Sequence, residues 1–154
     1  MMQEEIQTAI YEAVAAIGYP TYDDVPQVTA YPYIVVGDDR STPFDTDDSV
    51  GSETICTIHV WSQYRGRKEV KEIMRSVYHT LNRANLDITG GQLIECHAEF
   101  EESFLEPDGL TRHGVIRFRL IVEENGYTQM YLMTQANSFL QAESGHYLVT
   151  EQGA

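Results

Sequence analysis

The residues with the chemistry to catalyse or ligate are few and scattered. The five histidines are His59, His79, His97, His113 and His146. None stands in an HExxH, HxH or other metal-ligand spacing, so they read as ordinary surface or interface histidines. The two cysteines, Cys56 and Cys96, form no CxxC and are too few for a disulfide framework. Both fall in strand-like segments, with Cys96 on the apolar side, so they read as buried, reduced thiols of a cytosolic setting. A thiol in that position is a poor nucleophile. The stretch Asp45-Thr46-Asp47-Asp48-Ser49 is faintly like a calcium loop, but it lacks the glycine and the bidentate glutamate of an EF-hand. There is no nucleophile elbow, phosphate loop or dinucleotide glycine motif. Gly90-Gly91 precedes a strand rather than a helix, so it cradles no phosphate. No constellation meets the geometric needs of a catalytic site, and the expectation is a protein that is not an enzyme and needs no cofactor or metal.

Composition points the same way. The chain has 154 residues, a size that usually makes one domain. Asp plus Glu number 24 against 10 Lys plus Arg, a net charge of −14. So acidic a surface repels nucleic-acid phosphates, which argues against sequence-independent DNA binding. It suits a surface past which DNA slides without sticking. No apolar run is long enough to span a membrane, and the acidic start Met1-Met2-Gln3-Glu4-Glu5 does not read as an export signal.

Two helices are predicted. Ile6, Ala9, Ile10, Ala13, Val14 and Ile17 form one apolar stripe of helical period, ended by Gly18 and Pro20. Val70, Ile73, Met74, Val77, Tyr78 and Leu81 form a second, ending near Asn82–Asn85. The apolar run Tyr33–Val36 reads as a buried strand. In residues 54–62, Cys56, Ile58 and Val60 face one way and Thr57, His59 and Trp61 the other. Ile94, Cys96, Ala98 and Phe100 alternate with polar residues, as do Ile116, Phe118, Leu120 and Val122. Pro107-Asp108-Gly109 joins these last two strands. A three-residue turn there sets Glu106 opposite Leu110. Phe100 then faces Ile116, Ala98 faces Phe118, Cys96 faces Leu120 and Ile94 faces Val122. On the outer side Glu99 meets Arg117 and His97 meets Arg119.

These elements predict an α+β fold, a two-layer sandwich in which a mainly antiparallel sheet of about four strands carries two helices on one face. Residues 38–53 are expected to be a loop, and a long one. Residues 1–124 make the domain. Residues 125–154 read as an extended C-terminal arm, with one short strand at 145–150.

Three features together carry a resemblance. The first is an N-terminal helix with a Pro-rich lead-in, Val25-Pro26 through Ala30-Tyr31-Pro32, to the strand Tyr33–Gly37. The second is the passage from strand Thr57–Ser62 to helix Gly66–Leu81. The third is the hairpin in which an acidic strand runs through Pro-Asp-Gly into Arg112-His113-Gly114-Val115-Ile116-Arg117-Phe118. Over residues 3–124 this order resembles the tail-completion or tail-terminator proteins of tailed phages, prophages and gene transfer agents. The resemblance implies a virion structural protein, assembled in the bacterial cytoplasm, that forms a hexameric ring. The ring caps the head-proximal end of the tail tube, stops its growth and joins the head connector, while DNA passes through without specific binding. The implied partners are further copies of the chain, the major tail tube protein and the head–tail connector or stopper, with no membrane. A closed ring uses head-to-tail contacts, so one acidic and one basic patch per subunit suit it. The candidates are Asp38, Asp39, Arg40, Asp45, Asp47 and Asp48 in the acidic loop, Arg65, Arg67 and Lys68 in the basic cluster, and Glu99, Arg117 and Arg119 on the outer hairpin face. The alternatives are a head-completion or neck adaptor, and a small cytosolic ligand-binding domain or enzyme with a pocket around His59, His97 or the acidic loop.

Overall fold

Two amphipathic helices and a set of alternating strands can hide their apolar sides only against one another, and they do so around a single core. The computed structural model describes residues 1–126. Helix α1 spans Gln3–Ala15, and short β1, Thr21–Tyr22, follows. Strands β2, Tyr33–Pro43, and β3, Gly51–Ser62, form a hairpin. Helix α2, Lys68–Leu81, leads to a second hairpin of β4, Gly91–Leu105, and β5, Arg112–Glu124. The sheet order is β1-β2-β3-β5-β4, antiparallel except for the β1–β2 pair. The expected α+β architecture holds, with five strands in place of about four.

Both predicted helical stripes are the buried ones. Ile6, Ala9, Ile10 and Val14 of α1 and Val70, Ile73, Met74, Val77 and Leu81 of α2 pack on Ile34, Val36, Ile58, Val60, Ile116, Phe118, Leu120 and Val122. Gly18 takes φ +108° past the end of α1, a conformation that favours glycine. Gly114 serves closeness instead. A Cβ there would lie 2.6 Å from Met74 Sδ, so glycine lets α2 settle onto β5.

Residues 38–53 are not one loop. The β2–β3 ladder continues through Asp39↔Cys56 to Pro43↔Ser52, leaving only residues 44–50 as the turn. A bulge at Gly37–Asp38 resets the alternation. Asp38, Asp39 and Arg40 are exposed in succession, so no period-2 pattern marks this part of the strand.

The final hairpin keeps the expected register only in its middle. Cys96↔Leu120, His97↔Arg119 and Ala98↔Phe118 pair as anticipated. Beyond Ala98, Glu99 bulges out, and Phe100, not Glu99, pairs with Arg117. A second bulge at Ile94 sets Leu93 opposite Val122. Phe100 and Ile94 are therefore exposed, at 44% and 54%, not in the core. The Glu99 bulge shifts the alternation by one residue, so Ser103 lies opposite Gly114 on the side of Met74 and Phe100 turns to the other face. The turn also differs. Glu106 N–H donates to Thr111 O at 2.8 Å, because Asp108 holds both the Leu110 and Thr111 amides and keeps Leu110 in the loop. Gly109 takes the expected left-handed position, φ +70°.

The expected arm, including its strand at 145–150 and His146, lies outside the described residues apart from its first two positions.

This packing makes two changes diagnostic. Gly114→Val should cost about 1–3 kcal/mol by overpacking. Phe118→Ala, at a position 1% exposed, should cost about 3–5 kcal/mol. Urea denaturation midpoints at constant m-value measure both.

Candidate functional site

Roofing one face of the sheet with helices leaves the other face to its own side chains. Near the Ser62 end, every strand contributes a ring to it. Tyr22 of β1 meets Tyr33 of β2 edge-on at 6.0 Å. Tyr33 stacks toward Trp61 of β3 at 6.4 Å, and Trp61 lies on His113 of β5 at 3.8 Å and 14°. Phe104 of β4 closes the row, 4.9 Å from His113. The register explains it, since Tyr33↔Trp61, Trp61↔His113 and Phe104↔His113 are direct cross-strand pairs. Such ring contacts favour rigidity and docking area.

His59 joins this row by hydrogen bonding. Its Nδ1 lies 2.8 Å from His113 Nε2, and His113 Nδ1 lies 2.7 Å from Glu106 Oε1. With both rings neutral, His59 Nδ1–H donates to His113 Nε2, and His113 Nδ1–H donates to the Glu106 carboxylate. The bond between the rings holds one proton, so charging both rings breaks it. Burial, and next the neighbouring His113, push the His59 imidazole below its ordinary range, while Asp38 opposes this. Gly37 makes the room, since a Cβ there would stand 2.7 Å from His59 Cδ2.

Further along, the same face turns ionic. Arg119 binds Glu53 at 2.9 Å and Glu95 at 3.6 Å, and His97 Nδ1 lies 2.8 Å from Glu95. The Arg119 hydrogen bond holds Glu53 below the usual carboxylate range. Arg117 lies over the Phe100 ring at 5.8 Å.

Of the residues singled out in the sequence, Asp38, Asp39 and Arg40 lie on β2, and Asp45, Asp47 and Asp48 lie in the exposed turn beyond it. Asp45 accepts from Gly51 N–H at 3.2 Å, and Asp48 accepts from Thr46 Oγ1 at 3.0 Å. Arg65, Arg67 and Lys68 gather at the opposite end of β3, where Arg67 caps α2 and Lys68 begins it. Cations at a helix N-terminus oppose its dipole, a cost with no structural return here. β3 separates Arg65, Arg67 and Lys68 from the turn residues Asp45, Asp47 and Asp48 by roughly 36 Å, while Asp38, Asp39 and Arg40 lie beside its middle. Glu99, Arg117 and Arg119 lie mid-sheet, with Glu99 and Glu95 both within electrostatic reach of Arg119. Glu99 sits on the bulge, and Arg119 is already paired within the chain. His59 and His97 stand in different rows, so they build no common site. Among the described residues no group of three or more His, Cys, Asp or Glu is placed to hold a metal ion. The aromatic row is the feature that sequence reasoning missed. The outward Thr57-His59-Trp61 alternation was its visible half, and the pairing with His113 was the missing half.

Cys56 and Cys96 are free and buried. Burial pushes their thiols up to about 12 and about 11, respectively.

The geometry thus defines a two-layer α+β domain that exposes rings, ion pairs and separated charges, with no cluster of candidate metal ligands among the described residues. Comparison with known proteins is specific. The family model for tail completion protein gp17 matches residues 8–123. The tail completion protein gp17 of Bacillus phage SPP1 is 32% identical over 113 residues, covering 69% of this chain and 84% of that protein. A chain in the virion of a native gene transfer agent particle shares the fold, with TM-score 0.71 and 22% identity over 79% of this chain and 97% of its own. The solved SPP1 gp17 structure aligns with TM-score 0.48 and 26% identity over 75% and 89%. The chain belongs to the tail completion protein gp17 family, whose members are structural components of the virion and not enzymes.

Two outcomes test the site. His59 takes up a proton less readily folded than unfolded, so its contribution to stability is present above about pH 6.5 and is lost as pH falls below that value. The denaturation midpoint should fall from pH 7 to pH 5, and His59→Gln should flatten that slope. Both thiols should resist alkylation in the native protein at pH 8 and react at once in denaturant.

Proposed function

We propose that this chain is the subunit of a hexameric ring that seats on the head-proximal end of the tail tube, ends tube growth and joins the tail to the head connector. Family membership supports a tail-completion role. The observation that carries the ring is the placement of opposite charge at opposite ends of β3. A closed ring is built from head-to-tail contacts, in which two different patches of one subunit meet on neighbouring copies. Asp45, Asp47 and Asp48 of one copy face Arg65, Arg67 and Lys68 of the next, with Asp38, Asp39 and Arg40 further back along the β2 edge. Arg119 contributes no free charge to that contact, and Arg117 and Glu99 lie mid-sheet, away from it. The net charge of −14 per chain then repels DNA moving through the centre, so it passes without adhering. The further partners are the tail tube protein on one side and the connector or stopper on the other.

Light scattering after size exclusion tests the ring. The expected mass is six times the 17.5 kDa of the chain. Arg67→Glu with Lys68→Glu should weaken association roughly tenfold or more per contact, with Asp47→Lys and Asp48→Lys restoring it. A protein that stays monomeric at every concentration, with or without purified tail tubes, contradicts the reading.

A further inference from the structure

Strand β4 ends the sheet, and its outer edge is protected along only part of its length. Cys96 O accepts from Arg83 N–H at 2.7 Å, and Ala98 N–H donates to Asn82 Oδ1 at 3.0 Å. These bonds come from the connection that follows α2. Past the Glu99 bulge, the edge from Glu101 to Leu105 receives no such bond among the described residues. Beside it, α2 and β4 enclose an open groove of about 480 Å³. Lys71, Arg75 and Tyr78 line one wall, Glu101 and Ser103 the other, and Met74 lies between. On the other side of the strand, Phe104 is 38% exposed, and Leu105 at the strand's end is 44% exposed. Folded proteins cover or blunt edges of this kind, because an unpaired ladder flanked by apolar side chains captures another strand. A free edge beside a helix groove has the form that accepts an extended peptide by strand addition.

What lies on it follows from charge and position. The other unpaired edge of the sheet is β2 from Val36 onward, since β1 pairs only with Ile34 and Val35. That edge carries Asp38 and Asp39, while β4 carries Glu99, Glu101 and Glu102, so the two edges repel one another. Residues 127–142 differ. They hold no Asp, Glu, Lys or Arg, no Gly and no Pro, and they include Tyr127, Tyr131, Leu132, Phe139 and Leu140. Such a segment can lie along an acidic edge without repulsion. It leaves the fold at Gly126, beside Gly91, at the acidic end of the sheet. Its own 101–105 edge lies about ten residues up β4, roughly 33 Å away. Between them stands the 82–90 connection, tied to β4 by Arg83 and Asn82 and to Asn125 by Gly90. The neighbouring copy offers an open approach. Leu105, Arg112 and Ser62 share the basic end of the sheet. A head-to-tail ring sets that end against the acidic end of the next subunit.

We propose that the β4 edge from Glu101 to Leu105, with the α2 groove beside it, receives residues 127–142 of an adjacent copy as an added strand. This rests on the ring reading above and gives that ring a backbone-to-backbone seam. Lys71 and Arg75 border the seam without facing a charged guest, so its strength should depend little on salt, unlike the contact between the charged ends.

Hydrogen exchange read by mass spectrometry on the full chain tests it, with light scattering on the same samples. In the assembled protein the amides of residues 101–105 should exchange at least tenfold more slowly than in the same chain carrying Tyr131→Pro and Met133→Pro, which cannot complete the ladder. If the full chain forms a six-copy mass while residues 101–105 exchange freely, the strand proposal is overturned and the ring reading survives. A monomer in which these amides are protected, and lose protection with the prolines, shows the segment on its own edge and overturns the exchange between copies. A monomer with these amides unprotected overturns both.

Discussion

One constraint organises the molecule: a sheet with one apolar face and two helices with one apolar stripe each must hide those sides together. β3 shows it most plainly. Cys56, Ile58 and Val60 are buried beneath the helices, while Thr57, His59 and Trp61 stand on the bare side. Gly114 lets α2 seat closely on β5. The Glu99 bulge turns Phe100 and Phe104 to the bare face. The continuous β3–β5 register brings Trp61 and His59 to His113 there.

The same geometry separates the functions of the surface. Long strands run past the helical layer, so one end of the sheet carries the acidic turn and the other carries the α2 N-terminus with its cations. Within the bare face, ion pairs such as Arg119 with Glu53 neutralise charge locally. Exposed pairs of this kind add little stability. At the two ends, Asp47, Asp48, Arg65, Arg67 and Lys68 form no ion pair among the described residues, which is why the proposed contact is placed there. An assembly subunit needs these features more than it needs a pocket, and none of them resembles a catalytic constellation.

Much of this was legible from pattern alone. The two stripes, Ile6 to Ile17 and Val70 to Leu81, repeat at helical spacing, and periodicity that long identifies its element. The α+β sandwich follows from placing those stripes on alternating strands. What failed to show was decided by tertiary packing. Glu99 and Ile94 look like regular members of an alternating run, and only the pairing of β4 with β5 shows them as bulges. The far half of β2 was hidden because Asp38, Asp39 and Arg40 are all exposed. The family was readable from the order of elements and the Pro-Asp-Gly hairpin. The aromatic row was not, because Tyr33, Trp61 and His113 are far apart in sequence and meet only through register. The charged candidates were visible as residues, but their distribution over two ends needed the strand directions.

The central claim is a location: a ring of this chain where tail meets head. Gold-labelled particles imaged by electron microscopy test it most directly, with the label on an exposed residue outside the proposed contacts, such as Val28 substituted by cysteine, the native thiols being buried. The account predicts gold confined to the junction between head and tail, in a ring around the axis. Gold at the distal tip, along the tube, or absent from intact particles would contradict it.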